Sequence, residues 1–270
     1  MDSNVINQTQ DVGGKLLELF QNKKFKEAEN LAEFLTKKFP TNQFAWKALW
    51  AALQKNGKIH ESLAAIKKSE QLSPQDHEVQ YSLGTTLQKL NKFKEAKDSF
   101  VKAISLKSDY YLAHYGLGIT FKKLASLDDA EVCFRRVLEL NPDYYLANYS
   151  LGTTLQELGR LVEAEKCYRQ VIKFNPDDFK AYYNLGNLLT RVSRFDEAFV
   201  AFMRVIDLNR EFTAVYRNLG TLMKKIRFKS SDPGLYPILI DLLEIENSIR
   251  PQDVAAVSYT HLTLPTMFEV

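Results

Sequence analysis

Three periodic series in the sequence predict an all-α architecture of stacked helix-turn-helix hairpins. A Leu-Gly pair recurs every 34 residues, at Leu83 and Gly84, Leu117 and Gly118, Leu151 and Gly152, Leu185 and Gly186, and Leu219 and Gly220. Ala28, Ala96, Ala130, Ala164 and Ala198 fall on the same period, with Ser62 in the remaining slot. An acid precedes each of these: Glu27, Glu61, Glu95, Asp129, Glu163 and Glu197. Pro40, Pro74, Pro142 and Pro176 form the third series, interrupted at Ser108 and replaced by Arg210, and mark the unit boundaries. A recurrence of this length means that each unit is one supersecondary element that buries its apolar face only against its neighbours.

Within one unit, Leu151, Leu155 and Leu158 form one apolar stripe, and Ala164, Tyr168, Val171 and Ile172 form a second after a turn. Asn175, Pro176 and Asp177 end the second helix and supply a cap for the next. Glycine inside a helix costs roughly 1 kcal/mol relative to alanine, so glycines in register require a compensating gain. Close approach of Gly152 to Ala164, and of Gly186 to Ala198, is the expected source.

Leucine then glycine, alanine twelve residues on, an aromatic four beyond at Phe100, Phe134, Tyr168 and Phe202, and then proline together resemble the tetratricopeptide repeat. The resemblance covers units at 9–42, 43–76, 77–110, 111–144, 145–178 and 179–212, plus a half repeat at 213–225. It implies a right-handed α-solenoid whose first helices line a concave groove. The first two units depart from the pattern: Trp50 takes the glycine slot of the second, and Lys15 and Leu16 take the Leu and Gly slots of the first. Larger side chains there suggest a modified, capping end, which a stack needs because its terminal face has no neighbour. Residues 1–8 are expected to be disordered and 226–256 to form a linker with a short helix at 238–246. Residues 257–266, VSYTHLTLPT, resemble the in-frame translation of a sequencing adaptor, so 257–270 is expected to be an artefactual tail and the natural chain to continue after Ala255.

Net charge is +3, with 36 basic against 33 acidic residues, so no strong field favours nucleic acid or an anionic membrane. No apolar run approaches the ~18 residues of a membrane span, and the stretch 1–14 is polar, so neither membrane insertion nor secretion is expected. Cys133 and Cys167 cannot form a disulfide framework, and they share one slot of successive units on helices about 8–10 Å apart. They read as reduced packing residues of a cytoplasmic protein. His60, His77 and His114 lack metal-ligand spacing, and no triad, paired-carboxylate or phosphate-loop pattern occurs. No cofactor, metal or catalysis is expected from these residues, and the sequence does not set the oligomeric state, although Tyr216 and Leu222 suggest an exposed face on the last hairpin.

The candidate site is a column on the first helices. Tyr81, Tyr115, Tyr149 and Tyr183 recur at 34 residues, and Arg217 continues them. Thr85 and Gln88, Ile119 and Lys122, Thr153 and Gln156, Asn187 and Thr190, and Thr221 and Lys224 follow at helical spacing. Tyrosine combines apolar area with one hydroxyl, as binding surfaces favour, although regularly spaced aromatics also pack cores. Lys180, Asn184 and Asn218 match three positions of the carboxylate clamp of chaperone-binding tetratricopeptide domains, whose remaining cations are absent. Asn184 and Asn218 also resemble the asparagine ladder of O-linked N-acetylglucosamine transferase, since an amide both donates to and accepts from a peptide backbone. Lys89, Lys122, Lys123, Arg191, Lys224 and Lys225 collect at first-helix ends, where cations also stabilise the helix dipole.

These features predict a scaffold that binds a protein or peptide along the column from Tyr81 to Lys224. The alternative is the substrate-recruiting arm of a truncated enzyme, because residues 228–255 resemble linkers of bacterial chains that carry a methyltransferase, with a glycosyltransferase next. A third reading is a chaperone cofactor that grips a free C-terminal carboxylate.

Overall fold

The computed structural model describes the backbone of residues 3–223, with side chains from residue 12 onward. The chain divides into two compact units, residues 1–142 and 143–270. The first unit holds α1 (Ser3–Gln21), α2 (Phe25–Lys38), α3 (Gln43–Lys55), α4 (Ile59–Leu72), α5 (His77–Lys89), α6 (Phe93–Leu106), α7 (Tyr111–Lys123) and α8 (Leu127–Leu140). The second holds α9 (Tyr145–Glu157), α10 (Leu161–Phe174), α11 (Phe179–Arg191), α12 (Phe195–Leu208) and α13 (Ala214–Met223). No strand occurs among the described residues. Helices pair as antiparallel hairpins, and within each unit the hairpins stack. Lys224, the 226–256 segment and the 257–270 tail lie outside the described residues.

Helix α1 begins at Ser3, so the stretch expected to be disordered is helical from that residue. No proline interrupts residues 3–12, so nothing there breaks the helical hydrogen bonding. At the other end, Tyr216 and Leu222 do not form an exposed face: α13 packs on α11 and α12, and both residues are buried.

The glycines have a different partner from the one the sequence suggests. A Cβ on Gly118 would lie 2.6 Å from Cε1 of Phe134, and one on Gly186 would lie 2.6 Å from Cε1 of Phe202. Gly84 meets Phe100 and Gly152 meets Tyr168 in the same way. The aromatic sixteen residues on, rather than the alanine twelve residues on, fills each notch, because a ring reaches across the hairpin where a methyl group does not. All four rings are fully buried. The two departing hairpins carry Leu16 with Ala32 and Trp50 with Ile66 at the same offset, and the Trp50 indole N–H reaches out of its own hairpin to Thr86 Oγ1 at 2.8 Å. Ile66 and Ala32 are fully buried and Leu16 nearly so.

A second register lies in the turns. Lys23, Gly57, Asn91, Ala125, Gly159 and Ser193 all have positive φ, between 56° and 80°, at intervals of 34 residues. The next N–H bonds back to the helix at 2.9 Å in every case, as from Lys24 to Leu19 O and from Arg194 to Leu189 O. This is the Schellman closure, which satisfies carbonyls orphaned at a helix end. The following helices lack a side-chain N-cap and use charge instead. Lys24, Lys58, Lys92, Arg160 and Arg194 each pair with the acid three residues on, at 2.6 to 3.7 Å, which accounts for the periodic acids except Asp129, where Ser126 holds the basic slot. The cap on α11 is Asp178, not Asp177: its carboxylate accepts from the N–H groups of Lys180 and Ala181, because the helix starts one residue later than the Asn-Pro-Asp run suggests.

One buried carboxylate joins two hairpins of the first unit. Glu29, 1% exposed, accepts from Lys58 at 2.7 Å, Asn56 at 2.6 Å and Lys26 at 3.1 Å. The Lys58 hydrogen bond, helped by Asn56 and Lys26, outweighs desolvation and holds the carboxyl at about 2 instead of 4.5.

Three predictions test these devices. Gly118→Ala should destabilise the chain by about 1–3 kcal/mol through overpacking against Phe134, with partial recovery on adding Phe134→Leu. Ala125→Gly should stabilise it by up to about 1 kcal/mol by removing the left-handed penalty. Urea midpoints measure both. Because the Glu29 carboxyl is depressed on folding, its contribution is present above about 4.5 and is lost as pH falls toward about 2. Glu29→Gln should cost about 1–3 kcal/mol at neutral pH and flatten that acid limb in denaturation curves.

Candidate functional site

The first-helix face is built from the residue three places before each glycine. Tyr81, Tyr115, Tyr149 and Tyr183 are all half-buried. Each ring packs on the buried aromatic of its own hairpin, with centroids 6.0, 5.8, 6.3 and 6.1 Å from Phe100, Phe134, Tyr168 and Phe202. The tyrosines are therefore both core and surface: one side seals the ring seated on the glycine, and the other side forms part of the face.

In the second unit these tyrosines join across hairpins. The Asn184 side-chain amide on α11 donates to the hydroxyl of Tyr149 on α9 at 3.0 Å. Asn218 on α13 repeats the contact with Tyr183 on α11 at 3.0 Å and also donates to Oδ1 of Asn187 at 2.6 Å. Asn184, Asn187 and Asn218 are half-buried, so the row is held in place yet reachable. Around it, Lys180, Arg191 and Arg217 are exposed, and the Lys180 ammonium lies 5.9 Å from the Phe179 ring centroid. The row offers hydroxyls and amides at fixed spacing beside aromatic rings, a surface suited to hydrogen-bonding a peptide chain.

Other expected members sit differently. The Gln156 carbonyl accepts from the Tyr168 hydroxyl at 3.0 Å, so this side chain closes its own hairpin and does not extend freely from the face. Gln88 is similarly engaged, donating to Gly116 O at 2.8 Å and to Thr120 Oγ1 at 2.7 Å, and this ties α5 to α7. Lys122 is half-buried near the end of α7. Lys224 lies beyond the described residues.

Two aromatic residues that sequence reasoning passed over complete the face. Tyr110 lies edge-on to His77 and Tyr81, at 4.9 and 5.4 Å, in the first unit. Phe212 meets Phe179 and Tyr183, at 5.2 and 4.9 Å, in the second. They occupy one slot of the 34-residue register, just before a first helix, and that recurrence was the available signal.

Burial raises the phenols of Tyr81 and Tyr149 above their ordinary value and pushes Tyr110 up to about 12. At Tyr149 the Asn184 amide opposes that rise. Cys133 and Cys167 are buried and outside any disulfide, and desolvation pushes the Cys133 thiol up to about 12, which suits packing rather than reactivity. Among the described residues no three His, Cys, Asp or Glu gather as a metal site, and no helix is long and apolar enough to cross a membrane.

Stacked two-helix units with a polar and aromatic face on the first helices define a helical-repeat protein. Family models described as tetratricopeptide repeat match residues 77–110 and 179–212, 111–144 and 133–166, and one described as TPR repeat matches 155–192. Residues 77–212 are therefore tetratricopeptide repeats. No curated protein sequence matches the chain.

Solved structures share the fold. YrrB, described as a TPR protein with an unusual peptide-binding site, is 22% identical with a TM-score of 0.58, covering 69% of this chain and 96% of its own. MamA from Desulfovibrio magneticus RS-1 is 21% identical with a TM-score of 0.59, over 63% of this chain and 96% of its own. The pilF protein of Pseudomonas aeruginosa is 14% identical with a TM-score of 0.69, over 80% of this chain and 97% of its own.

The Tyr149 hydroxyl reports on the row. Its titration should lie above that of an ordinary phenol, and Asn184→Ala should raise it further, because the lost amide donor had favoured the phenolate. Carbon-13 tyrosine NMR against pH measures the change, and an unchanged or lowered value would show that the contact is not formed.

Proposed function

We propose that the chain is a protein-interaction scaffold that holds a polypeptide segment on its first-helix face, with the row on α9, α11 and α13 as the main contact. The observation that carries this reading is the linkage of Tyr149 to Asn184 and of Tyr183 to Asn218 and Asn187. The linked side chains are pre-ordered, so a ligand loses less of its binding free energy to fixing them. Their amides and hydroxyls match main-chain groups of a peptide, and the rings add apolar area. Lys180, Arg191 and Arg217 border the row and would favour a segment carrying carboxylates. In the first unit the equivalent face presents Tyr81 and Tyr115 with Lys122, and contributes aromatic contact without the asparagines. Tetratricopeptide repeats generally serve protein interaction, and the peptide-binding site named for YrrB is consistent with this use of the fold.

The test is capture from lysate on the immobilised full chain, with bound proteins identified by mass spectrometry. Asn184→Ala with Asn218→Ala, and separately Tyr149→Ala with Tyr183→Ala, should each lose the wild-type partner at least about tenfold, equivalent to one well-made charged or two neutral hydrogen bonds. Circular dichroism should stay helical in both. Identical captured proteins in wild type and both variants would sink the proposal.

A further inference from the structure

The second unit carries another recess, on the side of the second helices. It has a volume of about 670 Å³ and lies between α10 and α12 over α11. Its floor is apolar, made by Leu185, Leu189 and Ala201, and its walls are Ile172 and Val200. Val200 is 67% exposed although its helix position directly borders this apolar floor. The same slot holds Lys166 one repeat earlier and the equally exposed Val132 two repeats earlier, so the period alone does not require an aliphatic residue there.

Ion pairs bound the recess. Arg169 reaches Glu197 at 3.1 Å and Arg194 reaches Glu165 at 2.7 Å, joining α10 to α12. Arg204 has Asp177 and Asp207 at 3.9 and 4.0 Å. Two charges on the rim stand outside this set among the described residues: Lys173 near the C-terminal end of α10 and Asp196 in the first turn of α12, both exposed. Asp196 is the repeat equivalent of Val162, which precedes Lys173 by eleven residues. The two charges are therefore separated by about 16 Å along the helices at ~1.5 Å per residue.

We infer that this recess is a docking site for an amphipathic helix of a partner protein, about three turns long, lying antiparallel to α10 and α12. Charge complementarity fixes both its polarity and its length. An acidic first turn belongs beside Lys173, and a basic last turn belongs beside Asp196. Those are the end charges that a helix carries to offset its own dipole, and the antiparallel course also sets its N-terminus against the C-terminal ends of α10 and α12. Aliphatic residues at i, i+3, i+4 and i+7 then cover Val200, Ile172 and the leucine floor. This surface is separate from the tyrosine and asparagine row, so both can be occupied independently.

Two fluorescein-labelled synthetic peptides of equal composition serve as probes. Both carry the aliphatic stripe; one has Glu in its first turn and Lys in its last, and the other has these ends exchanged. Fluorescence anisotropy with the full chain should show the acid-first peptide binding about fivefold tighter, as expected for two exposed ion pairs replaced by two repulsions. Lys173→Glu combined with Asp196→Lys should invert the order. Val200→Asp should weaken both peptides at least about tenfold, with circular dichroism unchanged, whereas Asn184→Ala should leave both affinities as they were. The inference is overturned if neither peptide binds at about 1 mM, if Val200→Asp has no effect, or if the charge exchange leaves the order unchanged.

Discussion

The seating of an aromatic ring on a glycine is the contact on which each regular hairpin depends. Phe100, Phe134, Tyr168 and Phe202 are fully buried and occupy space that any Cβ at the glycine would enter. Each glycine weakens its own helix by roughly 1 kcal/mol, and burying a large aromatic returns more than that. The ring also sets the position of the tyrosine that packs on it. Placement of the face residues in each hairpin is thus a by-product of packing: Tyr149 is held by Tyr168, and Tyr183 by Phe202. The hydrogen bonds from Asn184 and Asn218 then connect surfaces that the core has already aligned.

The hairpin architecture was legible because its strongest requirements fall on residue types with few substitutes. Leucine, glycine and a small residue recur where bulk is either demanded or forbidden, and a period of 34 residues makes the recurrence visible. What the sequence concealed was the partner of the glycine. Ala164 and Tyr168 lie one turn apart on the same helix facing Gly152, and linear order does not rank one against the other. The turn register was equally hidden, since only Gly57 and Gly159 of its six members are glycine. Lys23, Asn91, Ala125 and Ser193 tolerate the left-handed conformation because the same backbone closure holds each of them. Their side chains carry no common signature.

The candidate site was legible in outline and not in its connections. The tyrosine column follows directly from the period, but its half-buried character depends on the facing ring. Gln156 was placed on the open face because its helix position is right, yet the Tyr168 hydroxyl draws it inward. A phenylalanine in that ring position, as at Phe134 and Phe202, has no hydroxyl to offer, so one oxygen atom changes the role of a neighbouring residue. The recess between α10 and α12 was not legible in the period, because the slot of Val200 is held by Lys166 one repeat earlier and by Val132 two repeats earlier.

The reciprocal sizes at the notch have a consequence for how such a chain can change over generations. Glycine stands opposite a ring at residues 84, 118, 152 and 186, whereas Leu16 holds that slot with Ala32 at the same offset. Copying a whole hairpin transfers both halves of the match together and keeps the volume constant. Genetic exchange that breaks within a hairpin does not: the first helix with Leu16 joined to a second helix with Phe134 brings two large groups to one space, and the first helix with Gly118 joined to the helix with Ala32 leaves a void. The hairpin, boundary to boundary, is thus the smallest piece of this protein that can be duplicated or shuffled with its notch intact.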